Sequence, residues 1–188
     1  MLPETTRLLL LGLARRSVAA RVTGGVRSRF SDPAAHGSEN RDLTPLPSAS
    51  GVFVTLKIAG QLRGCLGTLE CRDLAADVAR CAADAASEDP RFPPVTTTEL
   101  PAVTIDVSVL GPLTCIDPHN GDAIVIGRDG LVVEQGTRRG LLLPQVAAER
   151  GWNREQFLDH TCVKAGLQRD AWRHGATVYR FSAEVFGE

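Results

Sequence analysis

Two short alternating segments joined by a tight turn constrain the fold of this chain more than any other feature. In residues 51–59 (GVFVTLKIA) apolar side chains recur at every second position, which is typical of a strand with one buried face. A second strand-like segment, residues 62–70, follows after Gly60 and Gln61, and a two-residue connection favours a hairpin. Strands that pair with their neighbours along the chain are antiparallel. The sequence therefore predicts a largely antiparallel sheet.

Helical periodicity and capping residues occur between the predicted strands. Residues 4–22 predict an amphipathic helix, Asp73 caps a helix extending to about Ser87, and Asn153 caps another over residues 154–165. A shorter helix begins at Pro144 and extends to about Arg150. Hairpins with helices between them indicate an α+β fold in which helices flank the sheet. The further predicted strands are 103–110, 123–126, 131–134, 141–143 and 177–186, with a turn at 128–130 after the second of these.

The length of 188 residues suits one domain with its own core, so we assign residues 1–188 to a single domain. Its first part is the N-terminal helix, residues 1–22. Residues 23–50 are rich in glycine, serine and proline and lack periodicity, which predicts a long connection. Residues 51–188 form the α+β body.

Composition argues against several classes of function. A net charge of −1 provides no excess of cations for a phosphate backbone, so nucleic-acid binding is not expected. The apolar run at residues 8–14 is too short to cross a bilayer, and no membrane association is expected. Five cysteines with irregular spacing form no CxxC pair or zinc-binding pattern, so we predict a reduced, cytoplasmic protein with no metal. No nucleotide-binding motif occurs and no cofactor is predicted.

The hexapeptide LRGCLG, residues 62–67, contains the side chains that are best suited to a reactive or binding site. In an alternating strand Arg63 and Cys65 share one face, while Leu62, Gly64 and Leu66 face the core. A guanidinium beside a thiol stabilises the thiolate, which is the nucleophilic form. The alternative is that Cys65 is a small buried hydrophobe, as free cysteines often are.

The two glycines of this hexapeptide, Gly64 and Gly67, carry no side chain to pack. Glycine inside a strand marks a bulge or the close approach of a ligand or another backbone. We count both as candidate ligand-binding positions.

The segment DPRFPP, residues 89–94, is stiff because it contains three prolines. It holds Asp89 and Arg91 at fixed positions. Two interpretations of this pair are equally compatible with the sequence: it is part of a binding site, or it is a salt bridge that stabilises a corner of the chain.

Two weaker candidates lie near the C-terminal helices. Arg138 and Arg139 precede a predicted helix that contains Gln145, which suits an anion site, although turn arginines are usually solvated. His160 and Lys164 lie one helical turn apart, which predicts either a polar pocket or, more often, a solvated helix edge.

Five segments of this chain together resemble a known family, the AMMECR domain, known in prokaryotes as AmmeMemoRadiSam system protein A. The resemblance extends from the first helix to about Phe186 and implies an α+β fold of two closely packed subdomains. It also implies an association with a Memo-like protein and a radical SAM enzyme, but no particular reaction. The segments are LRGCLG (62–67), DPRFPPV (89–95), VSVL (107–110), GLVVEQGTRRGLLLPQVA (130–147) and FLDHTCVKAGL (157–167).

The resemblance also implies the candidate site residues. The family's signature hexapeptide falls on residues 62–67, which makes Arg63 and Cys65 the candidate catalytic residues. The later motifs add candidate ligand-binding residues, namely Asp89, Arg91, Arg139, Gly140, Gln145, His160 and Lys164.

Two hypotheses of function follow. In the first, Cys65 is the centre of a site that binds or modifies a small molecule or peptide, and Arg63 and Arg91 provide positive contacts. In the second, the chain is a non-catalytic adaptor whose motifs shape a surface for its partners. No general base is evident beside Cys65 unless His160 folds close to it.

Overall fold

A computed structural model describes residues 1–24, 46 and 48–188. The chain forms two compact units. The first comprises Met1–Val109 and Glu184–Glu188, and the second comprises Leu110–Ala183. Most of the predicted connection, residues 23–50, lies outside the described residues. Each unit combines antiparallel strands with helices, so the predicted α+β class is confirmed.

The first unit is a helix pair packed on a sheet. It contains helix α1 (Glu4–Val22), strands β1 (Gly51–Ile58) and β2 (Gln61–Thr68), helix α2 (Leu74–Ser87) and strand β3 (Val103–Leu110). The strand order is β2-β1-β3, and β3 pairs with the end of β7 (Thr177–Gly187), so β2 is the outermost strand. Alternate β1 side chains and one face of α2 form the core, with fully buried residues such as Val52, Val54, Leu56, Val78 and Ala82.

The first hairpin forms as predicted, with its turn one residue earlier. Ala59 and Gly60 form the turn, with φ of 50° and 77°. Both angles are positive, as in the type I′ turns whose twist matches that of paired strands. Strand β2 therefore begins at Gln61 and is anchored against Ile58.

The second unit packs helices on one face of a smaller sheet. It contains strands β4 (Thr114–Ile116), β5 (Asp129–Gln135) and β6 (Arg138–Leu142), helices α3 (Pro144–Glu149) and α4 (Arg154–Lys164), and the first part of β7. The strand order is β4-β7-β5-β6. Leu131 and Val133 of β5 pack against Phe157, Leu158 and Cys162 of α4. Three short 3₁₀ helices complete the described elements. Leu100–Ala102 belongs to the first unit, and Gly121–Ala123 and Ala171–Arg173 belong to the second.

The predicted strand at 123–126 and the predicted turn at 128–130 are wrong. Residues 121–123 form a 3₁₀ helix, residues 126–128 form a turn, and Asp129 already begins β5. The Asp129 carboxylate accepts the Val125 N–H at 2.8 Å, and the Asp129 N–H donates to the Val125 carbonyl at 3.0 Å. These two bonds curl the apolar segment back on itself, so it cannot continue as a strand.

The helix predictions agree with the structure more closely. Helix α1 spans the predicted residues 4–22, and the Asp73 side chain caps α2 by accepting the Ala76 N–H. Asn153 caps α4 with a reciprocal Gln156 contact. Among the described residues, none of the helices combines the length and the apolarity that crossing a bilayer requires.

Candidate functional site

A β-bulge at Arg63 shapes the LRGCLG segment. Leu56 pairs with Gly64 and Lys57 pairs with Leu62, so Arg63 has no residue opposite it. Such an extra residue breaks the alternation of side chains and redirects its neighbours. Leu62 is consequently 43% exposed, and the prediction that it faces the core is wrong. Gly64 and Leu66 do lie on the core side.

The Arg63 side chain binds both the proline-rich segment and Glu99, which follows it. Its Nε and one Nη donate to the two carboxylate oxygens of Glu99, at 2.8 and 3.2 Å. The other donors reach the carbonyls of Pro93 and Pro94, at 2.7 and 3.2 Å. The side chain is only 14% exposed. The planar fork of arginine suits this bidentate contact, and a lysine could not reproduce it.

Asp89 and Arg91 bind the backbone of Cys65. The buried Asp89 carboxylate accepts the Cys65 N–H at 2.8 Å, and Arg91 donates to the Cys65 carbonyl at 3.2 Å. Arg91 also donates to the Asp89 carboxylate through Nε and Nη2, at 2.9 and 2.7 Å. We call Arg63, Asp89, Arg91 and Glu99 the loop clamp, because they join β2 to residues 89–99.

The ion pairs of the loop clamp lower the pKa values of its two carboxyl groups. The Arg91 guanidinium holds the pKa of Asp89 well below its usual range, and the Cys65 N–H adds to this effect. The hydrogen bonds from Arg63, followed by those from Thr96, lower the pKa of Glu99 to about 2. Both carboxylates are therefore charged at neutral pH. Neither is suited to act as a proton donor or as a general base there.

The Cys65 thiol is half-buried, and Thr55 lies opposite it on β1. The Thr55 hydroxyl donates to Sγ at 3.3 Å. The Arg91 guanidinium also lies near this sulfur, because the Asp89 carboxylate and, to a lesser extent, the Cys65 side chain raise the pKa of Arg91. Activation of the thiol by Arg63 stays a prediction, and the guanidinium that would provide it is already bound to Glu99.

The two glycines of the motif permit close packing within the unit. A Cβ on Gly64 would lie 2.1 Å from the Ala85 carbonyl oxygen of α2. A Cβ on Gly67 would lie 2.2 Å from the Phe53 ring, which lies across the hairpin. Of the alternatives that the sequence leaves open, close approach of another part of the protein explains both positions.

The remaining candidates belong to the second unit, where Arg139 and Gly140 lie on opposite faces of β6. Arg139 faces Glu134 across the hairpin, and Nε lies 3.5 Å from the carboxylate. A Cβ on Gly140 would lie 2.3 Å from the Ala165 backbone nitrogen, so this glycine lets the end of α4 approach the strand. Arg138 donates to the Gly166 carbonyl at 2.8 Å. The two arginines of the predicted anion site therefore point to different partners.

In the described part of the chain, no hydrogen bond or ion pair joins the candidate helix residues of the second unit to Arg139. The His160 ring stacks on Trp152 with 4.0 Å between ring centroids, an arrangement that suits packing. Lys164 is exposed at the last residue of α4. Gln145 lies half-buried at the start of α3, which is a helix of six residues. The structure thus brings Arg63, Cys65, Asp89 and Arg91 together in the first unit and places the other four side chains in the second.

Sequence reasoning missed Glu99, which holds both Arg63 and Thr96. The Glu99 carboxylate accepts the backbone N–H and the hydroxyl of Thr96, each at 2.8 Å. The spacing Thr-x-x-Glu over residues 96–99 is a capping-box signal, and it was the available clue.

Comparison with known proteins assigns the family. The AMMECR1 family model matches residues 11–186. The chain belongs to this family. A protein of Thermofilum pendens is 45% identical over 96% of this chain and 88% of its own length. A protein of Methanothermobacter thermautotrophicus is 42% identical over 95% of this chain and 92% of its own length.

A solved structure supports the same assignment for the fold. The crystal structure of the uncharacterized protein PH0010 from Pyrococcus horikoshii is similar to this chain with a TM-score of 0.80. The two sequences are 38% identical, and the similarity covers 96% of this chain and 90% of that one. The sequence-based resemblance to the AMMECR domain is therefore confirmed, and so is the α+β class that it implies.

Proposed function

We propose that this AMMECR1-family protein is a non-catalytic binding module, and that residues 89–99 form its rigid contact element. Its proposed partners are the Memo-like protein and the radical SAM enzyme that the family resemblance implies. The five cysteines are all unpaired, which supports action in the reducing cytoplasm.

The observation that carries this proposal is the use of every charged group in the loop clamp to hold the fold. Six hydrogen bonds join β2 to residues 89–99. Arg63 is bound to Glu99 and to two prolyl carbonyls, and Asp89 is bound to Arg91 and to the Cys65 backbone. Side chains bound in this way are better suited to holding the loop in place than to transferring protons, because both carboxylates stay ionised near neutral pH.

The loop itself has the properties of a contact element. Pro90, Arg91, Pro93 and Pro94 are exposed, whereas Val95 and Asp89 anchor the two sides in the interior. The Val95 N–H donates to the Ala86 carbonyl at 2.7 Å. Three prolines and six clamp bonds leave the loop little freedom to lose. A surface that is already ordered binds a partner at a smaller entropic cost.

The test is a pull-down of both partners by the full chain and by two matched variants. Arg63→Lys keeps the charge but loses the fork that holds Glu99 and the prolyl carbonyls, so we expect capture to fall several-fold. Cys65→Ser keeps the backbone contacts to Asp89 and Arg91, so we expect capture to match that of the parent chain. Far-UV circular dichroism of each variant checks that the fold is retained.

A reversed result would overturn the proposal. If Cys65→Ser abolished capture while Arg63→Lys retained it, the sulfur and not the loop would be the essential group. Failure of the parent chain to capture either partner would reject the proposed partners directly.

The other hypothesis, chemistry at Cys65, is supported by the surroundings of the thiol. The thiol is only half-buried, and Thr55 is its hydrogen-bond partner. This hypothesis expects iodoacetamide to alkylate Cys65 faster than a free peptide thiol. A rate equal to or below that of the peptide, read by peptide mass spectrometry, would reject it.

A further inference from the structure

Four chemically active side chains form a row across the sheet of the second unit. Cys115 of β4 pairs with Tyr179 of β7, and Glu134 of β5 pairs with Arg139 of β6. The Tyr179 hydroxyl joins the two pairs by donating to Glu134 Oε1 at 2.8 Å. We call these four residues the oxyanion row. They span all four strands in the order β4-β7-β5-β6.

The oxyanion row lies on the sheet face opposite the helices. Leu131 and Val133 of β5 pack against Phe157 and Leu158 of α4. Glu134 follows Val133, so strand alternation places it on the other face. A carboxylate, a phenol and a guanidinium on that face take no part in the apolar core.

Glu134 organises this row by binding both of its neighbours. One carboxylate oxygen accepts the Tyr179 proton, and the other lies 3.5 Å from Arg139 Nε. The carboxylate therefore approaches one side of the guanidinium. No hydrogen-bond acceptor for the Nη groups of Arg139 occurs in the described part of the chain. The Arg139 side chain is 34% exposed, so those donors can be reached from solvent.

Tyr179 is the neutral member of this row. Its hydroxyl proton is directed to Glu134, so the phenol leaves the binding of an oxyanion to Arg139. The hydrogen bond to Glu134 raises the pKa of Tyr179, so the phenol stays neutral at physiological pH. A neutral phenol does not repel an anion bound nearby.

We infer that the oxyanion row is a binding site for a small molecule with a carboxylate or phosphate group, in which the Arg139 Nη donors hold the oxyanion. An arginine fork matches both groups in geometry. Glu134 contacts the guanidinium at Nε and leaves the Nη donors for the ligand, while its negative charge weakens the attraction for an anion. Cys115 is exposed at the other end of the row, so its rate of alkylation would show whether a bound molecule covers that end.

The test measures binding of inorganic phosphate and of succinate to the full chain by isothermal titration calorimetry. We expect saturable binding of at least one probe, and the stronger of the two identifies the oxyanion. Arg139→Gln removes the positive charge and the paired Nη donors of the guanidinium and should abolish binding. Arg138→Gln is the matched control, because this neighbour is also exposed but donates to Gly166. It should leave binding unchanged.

For a second variant, Glu134→Gln, we expect the affinity for the oxyanion to increase. Glu134→Gln retains an acceptor for Tyr179 but removes the negative charge beside Arg139, so oxyanion binding should strengthen several-fold. A purely structural ion pair would give no such gain. The inference is overturned if the parent chain binds neither probe, or if Arg138→Gln and Arg139→Gln weaken binding equally. It is also overturned if Glu134→Gln leaves the affinity unchanged.

Discussion

The Asp89 carboxylate accepts the backbone N–H of Cys65 at 2.8 Å, so the central cysteine of the LRGCLG segment is held through its main chain. Arg91, which is bound to the same carboxylate, completes the contact by donating to the Cys65 carbonyl. The identity of the Cys65 side chain does not enter this interaction. The loop clamp therefore constrains where the sulfur lies without requiring that it be a sulfur.

Asp89→Asn should destabilise the protein substantially. The buried carboxylate accepts charge-assisted bonds from Arg91 and a main-chain bond from Cys65, and an amide cannot accept all of them. We expect a loss of about 2–3 kcal/mol in the free energy of unfolding, measured by urea denaturation. Asp170→Asn is the control, because that side chain is exposed and pairs with an exposed His174. A change of less than about 0.5 kcal/mol in both variants would contradict this account of the clamp.

Stability should fall in acid because of the clamp carboxylates. The pKa of Glu99 is lowered to about 2 in the folded protein, and that of Asp89 is lowered as well. The unfolded chain binds protons at its ordinary pKa values, near 4, so it gains protons first as the pH falls. The stabilisation is thus fully present above about pH 5 and is lost progressively below it.

The variant Glu99→Gln isolates one part of this pH effect. It should flatten the dependence of unfolding free energy on pH between about pH 5 and pH 2, while Asp89 continues to contribute. Urea denaturation at a series of pH values measures the slope. An unchanged slope would show that Glu99 titrates alike in the folded and unfolded states.

Gly64→Ala should be poorly tolerated despite its small size. The added Cβ would lie 2.1 Å from the Ala85 carbonyl oxygen, which is main chain and cannot rotate away. We expect a loss of about 1–3 kcal/mol or more as β2 and α2 separate. Gly121→Ala adds the same group where nothing lies within 4 Å, and its thermal midpoint should stay close to that of the parent chain. Equal midpoints for the two variants would contradict the close packing.

The five cysteines should differ widely in alkylation rate. Cys115 is exposed and should react first. Burial, assisted by Asp77, raises the pKa of Cys71 to about 11, and burial raises the pKa of Cys81 to about 11. Cys81 and Cys162 are buried and should be modified only after denaturation. Time-resolved iodoacetamide labelling with peptide mass spectrometry tests this order, and fast labelling of Cys81 in the folded protein would contradict it.

Local patterns predicted the elements whose signals lie within a few residues. Helix α1 over residues 4–22 and strand β3 over residues 103–110 occur over the predicted residues, although Leu8 and Leu9 of the helix are exposed. The segment 123–126 failed because its conformation depends on Asp129, which lies beyond its end. A side chain that captures a main-chain N–H overrides the β propensity of an apolar run.

In the candidate site, too, local patterns identified residues but could not predict contacts with distant parts of the chain. The motifs identified Arg63, Cys65, Asp89 and Arg91, and the structure brings these four into one contact network. Side-chain alternation misplaced Leu62, because the bulge at Arg63 inserts a residue that the pattern does not reveal. The partner of Arg63, Glu99, lies 36 residues away, and no local rule could predict that pairing.

Strand β2 is the last strand on its side of the first unit's sheet, and such a strand ordinarily offers free main-chain groups to any passing extended chain. At Cys65 both groups are already occupied, the N–H by a carboxylate and the carbonyl by a guanidinium. Two side chains thus take the place that a neighbouring strand would fill. The sheet cannot grow sideways at this point unless the loop leaves, which protects the folded protein against open-ended self-association.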